Sequence, residues 1–378
     1  MSGNAVNAKI VVSQARFERT IGKISSEPRI GIDLESNGFF RYPERICLIQ
    51  ISTADQVFLV DPLSIEDMTL LGGVLADEKV EIILHSGDYD IRSLDRDWDF
   101  HISKLFDTSI AAAFVGLERL GLGSVLEEML EVIIPKEKSM QRSDWTIRPL
   151  SDEALTYAAE DVRHLFRLRD ALGEKLQELG RVEWVTEECE RLTQIRYEPS
   201  DPEMTVFNFK GSRDLDGYEL AVLKSLLEYR ESHALRVGRP HFRVIPDMAL
   251  LALATKPKSD LGKVRGLGMY GRGRLAAELR EAIERGMAAD PLRRPPRPQG
   301  RRLSRDEREA AGTNLTKLKA WRVEQGKRLS LDPGLLWPMV SLQRLSRFPN
   351  TLEAELESPE VRRWQRAEFA ESLKQVLS

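Results

Sequence analysis

Hydrophobic and polar positions divide the chain into a first part of mixed periodicity and a second part that is helical throughout. Residues 13–24 carry helical spacing. Three strand-like runs follow, at residues 30–35, 45–52 and 56–60, with Ala54-Asp55 as the tight turn between the last two. Residues 65–75 read as a helix, 81–84 as a strand, 91–98 as a helix and 105–106 as a short strand. Helices at 108–114 and 124–132 come next. This mixture predicts a layered α/β domain. Ser151 is a helix N-cap, with Asp152 and Glu153 in the first turn and Leu150 and Leu155 placed as a hydrophobic staple. The helix it opens is expected to continue to about residue 179 and to stop at Gly180.

From there the pattern predicts helices at 216–232, 247–255 and 272–285, with a loop at 256–266. A stretch rich in Pro and Arg follows at 290–302, the clearest linker in the chain. Helices at 314–325, 333–346 and 361–377 complete the sequence. Leu226-Leu227-Glu228-Tyr229-Arg230 is echoed by Leu318-Lys319-Ala320-Trp321-Arg322, and each precedes a Pro-marked helix start, so the two helical parts read as distant repeats. The expected division is a domain over 1–200, a helical domain over 210–290, a linker over 291–308 and a second helical domain over 309–378.

Composition narrows the class. A chain of 378 residues is long for one core, and 42% hydrophobic with 31% charged residues describes a globular protein. Cys47 and Cys189 are the two cysteines, too few for a disulfide framework or a zinc site, and a buried reduced thiol is expected of Cys47. The net charge of −4 does not suit a broadly basic nucleic-acid binder. Charge is nonetheless uneven, with Arg293, Arg294, Arg297, Arg301, Arg302, Arg305 and Arg308 crowded together and acids dense between residues 55 and 107. A local phosphate-binding surface and a solvated basic linker both fit the arginine run. No basic-then-apolar leader and no long apolar run is visible, so a cytoplasmic protein with no membrane contact is expected.

The candidate chemistry is carboxylate chemistry. Asp33 and Glu35 sit two apart in a strand, which puts both on one face, with Ile30, Ile32 and Leu34 on the other. Neighbouring carboxylates repel unless a cation lies between them, and oxygen ligands suit a hard ion such as Mg²⁺. A solvated strand edge is the plainer alternative. Tyr157 and Asp161 are one helical turn apart, so a phenol can meet a carboxylate, or the pair can simply line an amphipathic helix. Asp88 and Asp90 follow the strand that breaks at Ser86-Gly87, where either acid serves a site or an N-cap. His85 is a candidate site residue or a hydrogen-bonded core histidine.

In this order the pieces resemble the DEDD exonuclease superfamily in its tyrosine-containing branch. Further motifs are similar to the bacterial ribonuclease D family: Pro43 to Gln50 followed by Val60-Asp61-Pro62-Leu63, His85-Ser86-Gly87 with Asp90, Asp107-Thr108, Ser143-Asp144-Trp145 with Arg148-Pro149-Leu150, and Tyr157 to Asp161. The likeness runs over roughly residues 10–196. Leu220 to Arg230, Phe242-Arg243-Val244, Ile245-Pro246-Asp247 and Gly266-Leu267-Gly268 resemble HRDC domains, and the last helical part resembles a second one. The resemblance implies a ribonuclease H-like α/β exonuclease domain, a mixed sheet flanked by helices, followed by two all-α HRDC-type domains.

It also implies a site. Asp33, Glu35, Asp90 and Asp161 would hold two divalent metal ions, Mg²⁺ or Mn²⁺, and Tyr157 would position the attacking water. Asp88 stays open as the third acid. Asp33 would bridge both ions, Glu35 and Asp161 would complete the nucleophile-side ion, and Asp90 would support the other through water. The implied reaction is 3′→5′ hydrolysis of RNA, tRNA precursors included, with release of 5′-monophosphates; apart from the resemblance, a monomer is one expectation and the sequence does not fix the oligomeric state. A DNA exonuclease of the same fold and a silent nucleic-acid-binding protein are the alternatives. Arg142, Arg148 and Lys138 are candidates for substrate phosphates and Phe39, Phe40 and Tyr42 for stacking on bases, with surface salt pairs and core aromatics as the plainer alternatives, and His85 is a further substrate-binding candidate. Gly266, Gly268, Gly271 and Arg272 would offer a phosphate site at a helix start or form a plain interhelical turn.

Overall fold

The computed structural model describes residues 8–134, 140–199, 201–296, 301 and 303–377. Lys138, Arg297 and Arg302 lie outside them. A six-stranded sheet forms the first domain, from β1 (Ala8–Val11), β2 (Arg29–Ser36), β3 (Ile46–Ser52), β4 (Val57–Val60), β5 (Glu81–Leu84) and β6 (Leu105–Asp107), in the order β1-β4-β3-β2-β5-β6. β3 runs antiparallel to β2 and β4, while β2, β5 and β6 run parallel. The parallel strands turn the C-terminal ends of β2 and β5 to the same edge of the sheet. Ends of this kind are where open α/β sheets gather ligands.

Helices α1 (Gln14–Ile24), α2 (Thr69–Leu75) and α3 (Asp88–Trp98) cover one face, and Ile30 and Ile32 point into their core. Further helices, α4 (Thr108–Val115), α5 (Leu122–Leu130), α6 (Asp152–Arg163), α7 (Leu165–Glu178) and α8 (Val182–Thr193), complete the domain. The alternation across β2 therefore holds: isoleucines on one side, Asp33 and Glu35 on the other, beneath α6.

Several elements differ from the sequence expectation. β1 was not foreseen; it is four residues at the sheet edge and half of it is exposed. The helix expected over 65–75 begins only at Thr69, because Asp61 caps a 3-10 turn over Pro62–Ser64. The helix expected from 152 to 179 is two helices. His164 breaks it, with φ −101° and ψ −2°. α6 packs on β2, β3 and β4, while α7 packs on α4, α5 and β5, and one straight rod cannot serve both sets.

The rest is helical. The first unit holds α9 (Pro202–Asn208), α10 (Gly217–Val237), α11 (His241–Val244), α12 (Asp247–Thr255) and α13 (Gly273–Ala288). The second holds α14 (Arg305–Leu329), α15 (Pro333–Leu336), α16 (Met339–Arg347), α17 (Leu352–Leu356) and α18 (Arg363–Leu377). α14 starts well before the expected residue 314 and inside the stretch 291–308 expected as linker, because Ser304 and Glu307 form a capping box. The helix expected over 333–346 is split between α15 and α16 at Trp337-Pro338, where proline supplies no N–H.

The two units repeat one device. Arg230 on α10 donates to the Ile245 carbonyl at 3.1 Å, and Arg322 on α14 donates to the Trp337 carbonyl at 3.1 Å. Each carbonyl immediately precedes a proline, Pro246 or Pro338, that opens the next helix. The second unit shares a core with the back of the first domain. Trp184 stacks on Trp364 with centroids 4.6 Å apart, and Arg181 donates to the carbonyls of Phe114 (2.7 Å) and Leu329 (2.5 Å). The first unit instead meets the loop that leaves β2. Tyr42 donates its phenol to Glu231 at 2.7 Å and its backbone N–H to the Gly238 carbonyl at 3.2 Å.

Candidate active site and metal centre

Carboxylate oxygens of Asp33, Glu35 and Asp161 lie within 4.8 Å of one another. β2 brings the first two and α6 the third. α6 can come this close because Ala154, Ala158, Ala159 and Val162 form its buried face, small enough to lie flat on the sheet. Asp90 is buried in the first turn of α3, close enough for its charge to act on Glu35 and for the charge of Asp33 to act on it.

Burial and mutual repulsion govern how these acids titrate. Desolvation pushes Asp33 up to about 7. Desolvation, followed by the charges of Asp33, Asp161 and Asp90, pushes Glu35 up to about 10. Asp161 rises to about 8 from desolvation and then Asp33, opposed by a hydrogen bond from Tyr157. Asp90 is raised well above the ordinary carboxylate range, by desolvation first and Asp33 next. No positive group appears among these causes.

Adjacent acids behave differently. Asp88 is exposed and pairs with Arg92 at 2.9 Å. Glu160 pairs with Arg163 at 2.8 Å and lies 3.4 Å from His164. Of the two acids after Ser86-Gly87, Asp90 therefore turns inward and Asp88 outward. Neither is the N-cap of α3, which is Gly87. The inward acids are an all-oxygen donor set with no positive side chain among the described residues to offset them once ionised, which fits hard divalent cations. Tyr157 on α6 bonds to Asp161, as their one-turn spacing requires, and its ring lies 6.3 Å from that of Trp145.

Two residues expected at substrate are committed elsewhere. Arg148 donates to both Asp61 oxygens, at 2.6 and 2.8 Å, and to the carbonyls of Cys47, Trp145 and Ile147. Its guanidinium braces the sheet and has no donor left for phosphate. His85 has both ring nitrogens engaged, Nδ1 with Thr108 Oγ1 and Nε2 with the Leu120 carbonyl, each at 2.9 Å. Burial pulls its pKa down. The Leu120 carbonyl can only accept, so Nε2–H donates to it, while Nδ1 shares the single Thr108 hydroxyl hydrogen with the Leu84 carbonyl, 2.9 Å from the same oxygen. His85 is thus the hydrogen-bonded core histidine.

The glycines expected at a phosphate site also have a packing explanation. Gly266 has φ +92°, and a Cβ there would press on Pro246; a Cβ at Gly271 would meet the Leu261 carbonyl at 2.6 Å. They form an interhelical turn before α13.

Sequence reasoning gave no role to two acids that hold the site together. Asp107 is fully buried and accepts from the backbone N–H groups of Ser86 (3.2 Å), Gly87 (2.8 Å), Ser109 (2.8 Å) and Ile110 (3.1 Å). It caps α4 and clamps the turn that opens α3. Glu44 accepts from Ser36 Oγ at 2.5 Å, from the Tyr89 phenol and from Arg96 at 3.2 Å. It ties the end of β2 to the helix that carries Asp90. Asp107-Thr108 was visible as a motif; for Glu44 no local pattern marks the role.

Comparison with known proteins places this geometry. The 3′-5′ exonuclease family matches residues 8–177, and the HRDC domain family matches residues 219–283. Ribonuclease D of Granulibacter bethesdensis is 30% identical over 351 residues, covering 91% of this chain and 86% of that protein. Ribonuclease D of Zymomonas mobilis is 33% identical over 296 residues, covering 76% and 75%. In fold, the crystal structure of Escherichia coli RNase D matches with a TM-score of 0.73 at 23% identity, over 98% of this chain and 99% of that one. The likeness to ribonuclease D runs over most of both chains, and the chain belongs to the ribonuclease D family.

Proposed function

We propose that this chain is a 3′→5′ exoribonuclease whose reaction centre is built from Asp33, Glu35, Asp90, Asp161 and Tyr157. The observation that carries the reading is the convergence of the half-buried Asp33, Glu35 and Asp161, with buried Asp90 within reach of their charges and no positive side chain among the described residues acting on them. Two divalent ions, Mg²⁺ or Mn²⁺, suit that charge, and when bound such a pair stabilises both the attacking and the leaving oxygen of a phosphodiester. Asp33 is central to the group, since its charge acts on Glu35, Asp90 and Asp161 alike. Tyr157 orients the attacking water, with its phenol fixed by Asp161. Hydrolysis at the terminal linkage leaves 5′-monophosphates. The substrate is an unpaired RNA 3′ end, tRNA precursors being the natural candidates.

The test uses the full chain and 5′-labelled single-stranded RNA. Mg²⁺ gives a ladder shortened stepwise from the 3′ end and free mononucleotide, chelator stops it, and a 3′-phosphate slows it. A matched DNA strand reads the sugar preference. Release of no mononucleotide in Mg²⁺ or Mn²⁺ would overturn the proposal.

A further inference from the structure

Beyond the acidic pocket, rings and guanidinium groups alternate across the boundary between the nuclease and the first helical unit. The Arg142 guanidinium lies 5.8 Å from the centroid of Phe39. Phe39 meets Phe242 edge-on at 5.8 Å. Arg243 lies 5.8 Å from the Phe242 ring and 4.6 Å from that of Phe40. Phe39 and Phe40 belong to the loop leaving β2 just after Glu35, while Phe242 and Arg243 belong to α11.

Two facts separate this strip from ordinary surface. Phe39 is 51% exposed and Phe242 54%, so neither ring is spent on a core. Among the described residues no ion pair neutralises Arg142 or Arg243, whereas nearby Arg41 lies 3.8 Å from Asp144. Open rings flanked by free positive charge suit a partner that is flat and apolar on one part and anionic on another. A single-stranded nucleic acid has both parts: bases stack on the rings and phosphates meet the guanidiniums. The strip is also held in place. Tyr42 is bonded to Glu231, whose other oxygen lies 2.5 Å from His241, and this fixes α11 against the loop.

We infer that Phe39 and Phe242, with Arg142 and Arg243, form one composite platform, half from the nuclease and half from the HRDC unit. It holds single-stranded RNA upstream of the 3′ terminus while the end occupies the acidic pocket. The inference rests on the exonuclease reading for the direction of the strand. The platform selects unpaired over paired RNA, because only unpaired bases have a free face to stack, and it is indifferent to sequence.

The test measures fluorescence anisotropy of labelled single-stranded RNA and of a blunt RNA duplex with the full chain in chelator, where nothing is hydrolysed. Phe39→Ala and Phe242→Ala should each weaken single-strand binding about tenfold and leave duplex binding unchanged. Phe242→Tyr should restore it. Arg243→Gln should weaken both ligands and flatten the salt dependence. Wild-type single-strand affinity in both Ala variants, or equal loss for the duplex, would overturn the platform. Mononucleotide release by the wild-type chain in Mg²⁺ is measured in parallel. Its absence counts against the exonuclease reading, while the binding comparison still decides the platform.

Discussion

Asp33 on β2 lies directly across the sheet from Gln50 on β3. The two side chains share a face, and Gln50 is fully buried, yet neither its Nε2 nor its Oε1 has a hydrogen-bond partner among the described residues. An unsatisfied amide beside a raised carboxylate costs stability and is kept for another reason. Its position suits a hydrogen bond to Asp33 once that group is charged. Gln50→Met should therefore lower Mn²⁺ affinity about tenfold without lowering the melting temperature. Unchanged affinity with a lower melting temperature would make Gln50 a packing residue only.

The four acids should act as a set. Asp33→Asn, Asp161→Asn and Glu35→Gln are each expected to reduce nucleotide release on the order of a thousandfold or more, and the effects should not multiply in double variants. The folded chain should be retained, as read by circular dichroism. A wild-type rate in any one of these variants removes that residue from the centre.

The metal-free protein should lose stability as pH rises. An unfolded carboxylate ionises near pH 4, whereas Asp33 and Asp161 stay protonated in the folded chain up to about 7 and 8. Between those limits the folded state binds more protons than the unfolded one, so raising pH favours unfolding. In chelator, the melting temperature is expected to fall from pH 5 to pH 8, and Mg²⁺ should reverse the fall most strongly at the upper end. A melting temperature that rises over this range would contradict the charge assignment.

Asp107 should matter for folding rather than for chemistry. Asp107→Ala strands four backbone N–H groups, one buried and three part-buried, and the loss is expected to be on the order of 3 kcal/mol in urea denaturation. Asp88→Ala, which frees only a surface arginine, should cost nothing measurable. Equal stability of the two variants would refute the clamp at the start of α3.

What the sequence made legible was local. The alternation of Ile30, Ile32 and Leu34 with Asp33 and Glu35 specified a face, and the spacing of Tyr157 and Asp161 specified a helical contact. Ser151 was readable as a cap because capping is a matter of neighbouring residues, and its side chain accepts from Ala154 N–H at 3.2 Å. The break at His164 was not readable, since it answers to where two helices must pack and no glycine or proline marks it. Arg148 was misplaced, and His85 left open, for a similar reason. A cation or an imidazole near a motif looks ready for substrate until its long-range partners, Asp61 and Leu120, are known. Spacing from His85 favoured Asp90 over Asp88 but left Asp88 open, and the orientation of α3, with Asp88 paired to Arg92, separated them.

Calorimetric titration of Mn²⁺ into the full chain and into its Asp33→Asn variant addresses the metal centre most directly. The wild-type protein is expected to bind two ions with release of protons, and the variant to lose at least one of them. Binding that is absent from the wild-type chain, or identical in the two proteins, would contradict a metal centre built on these acids.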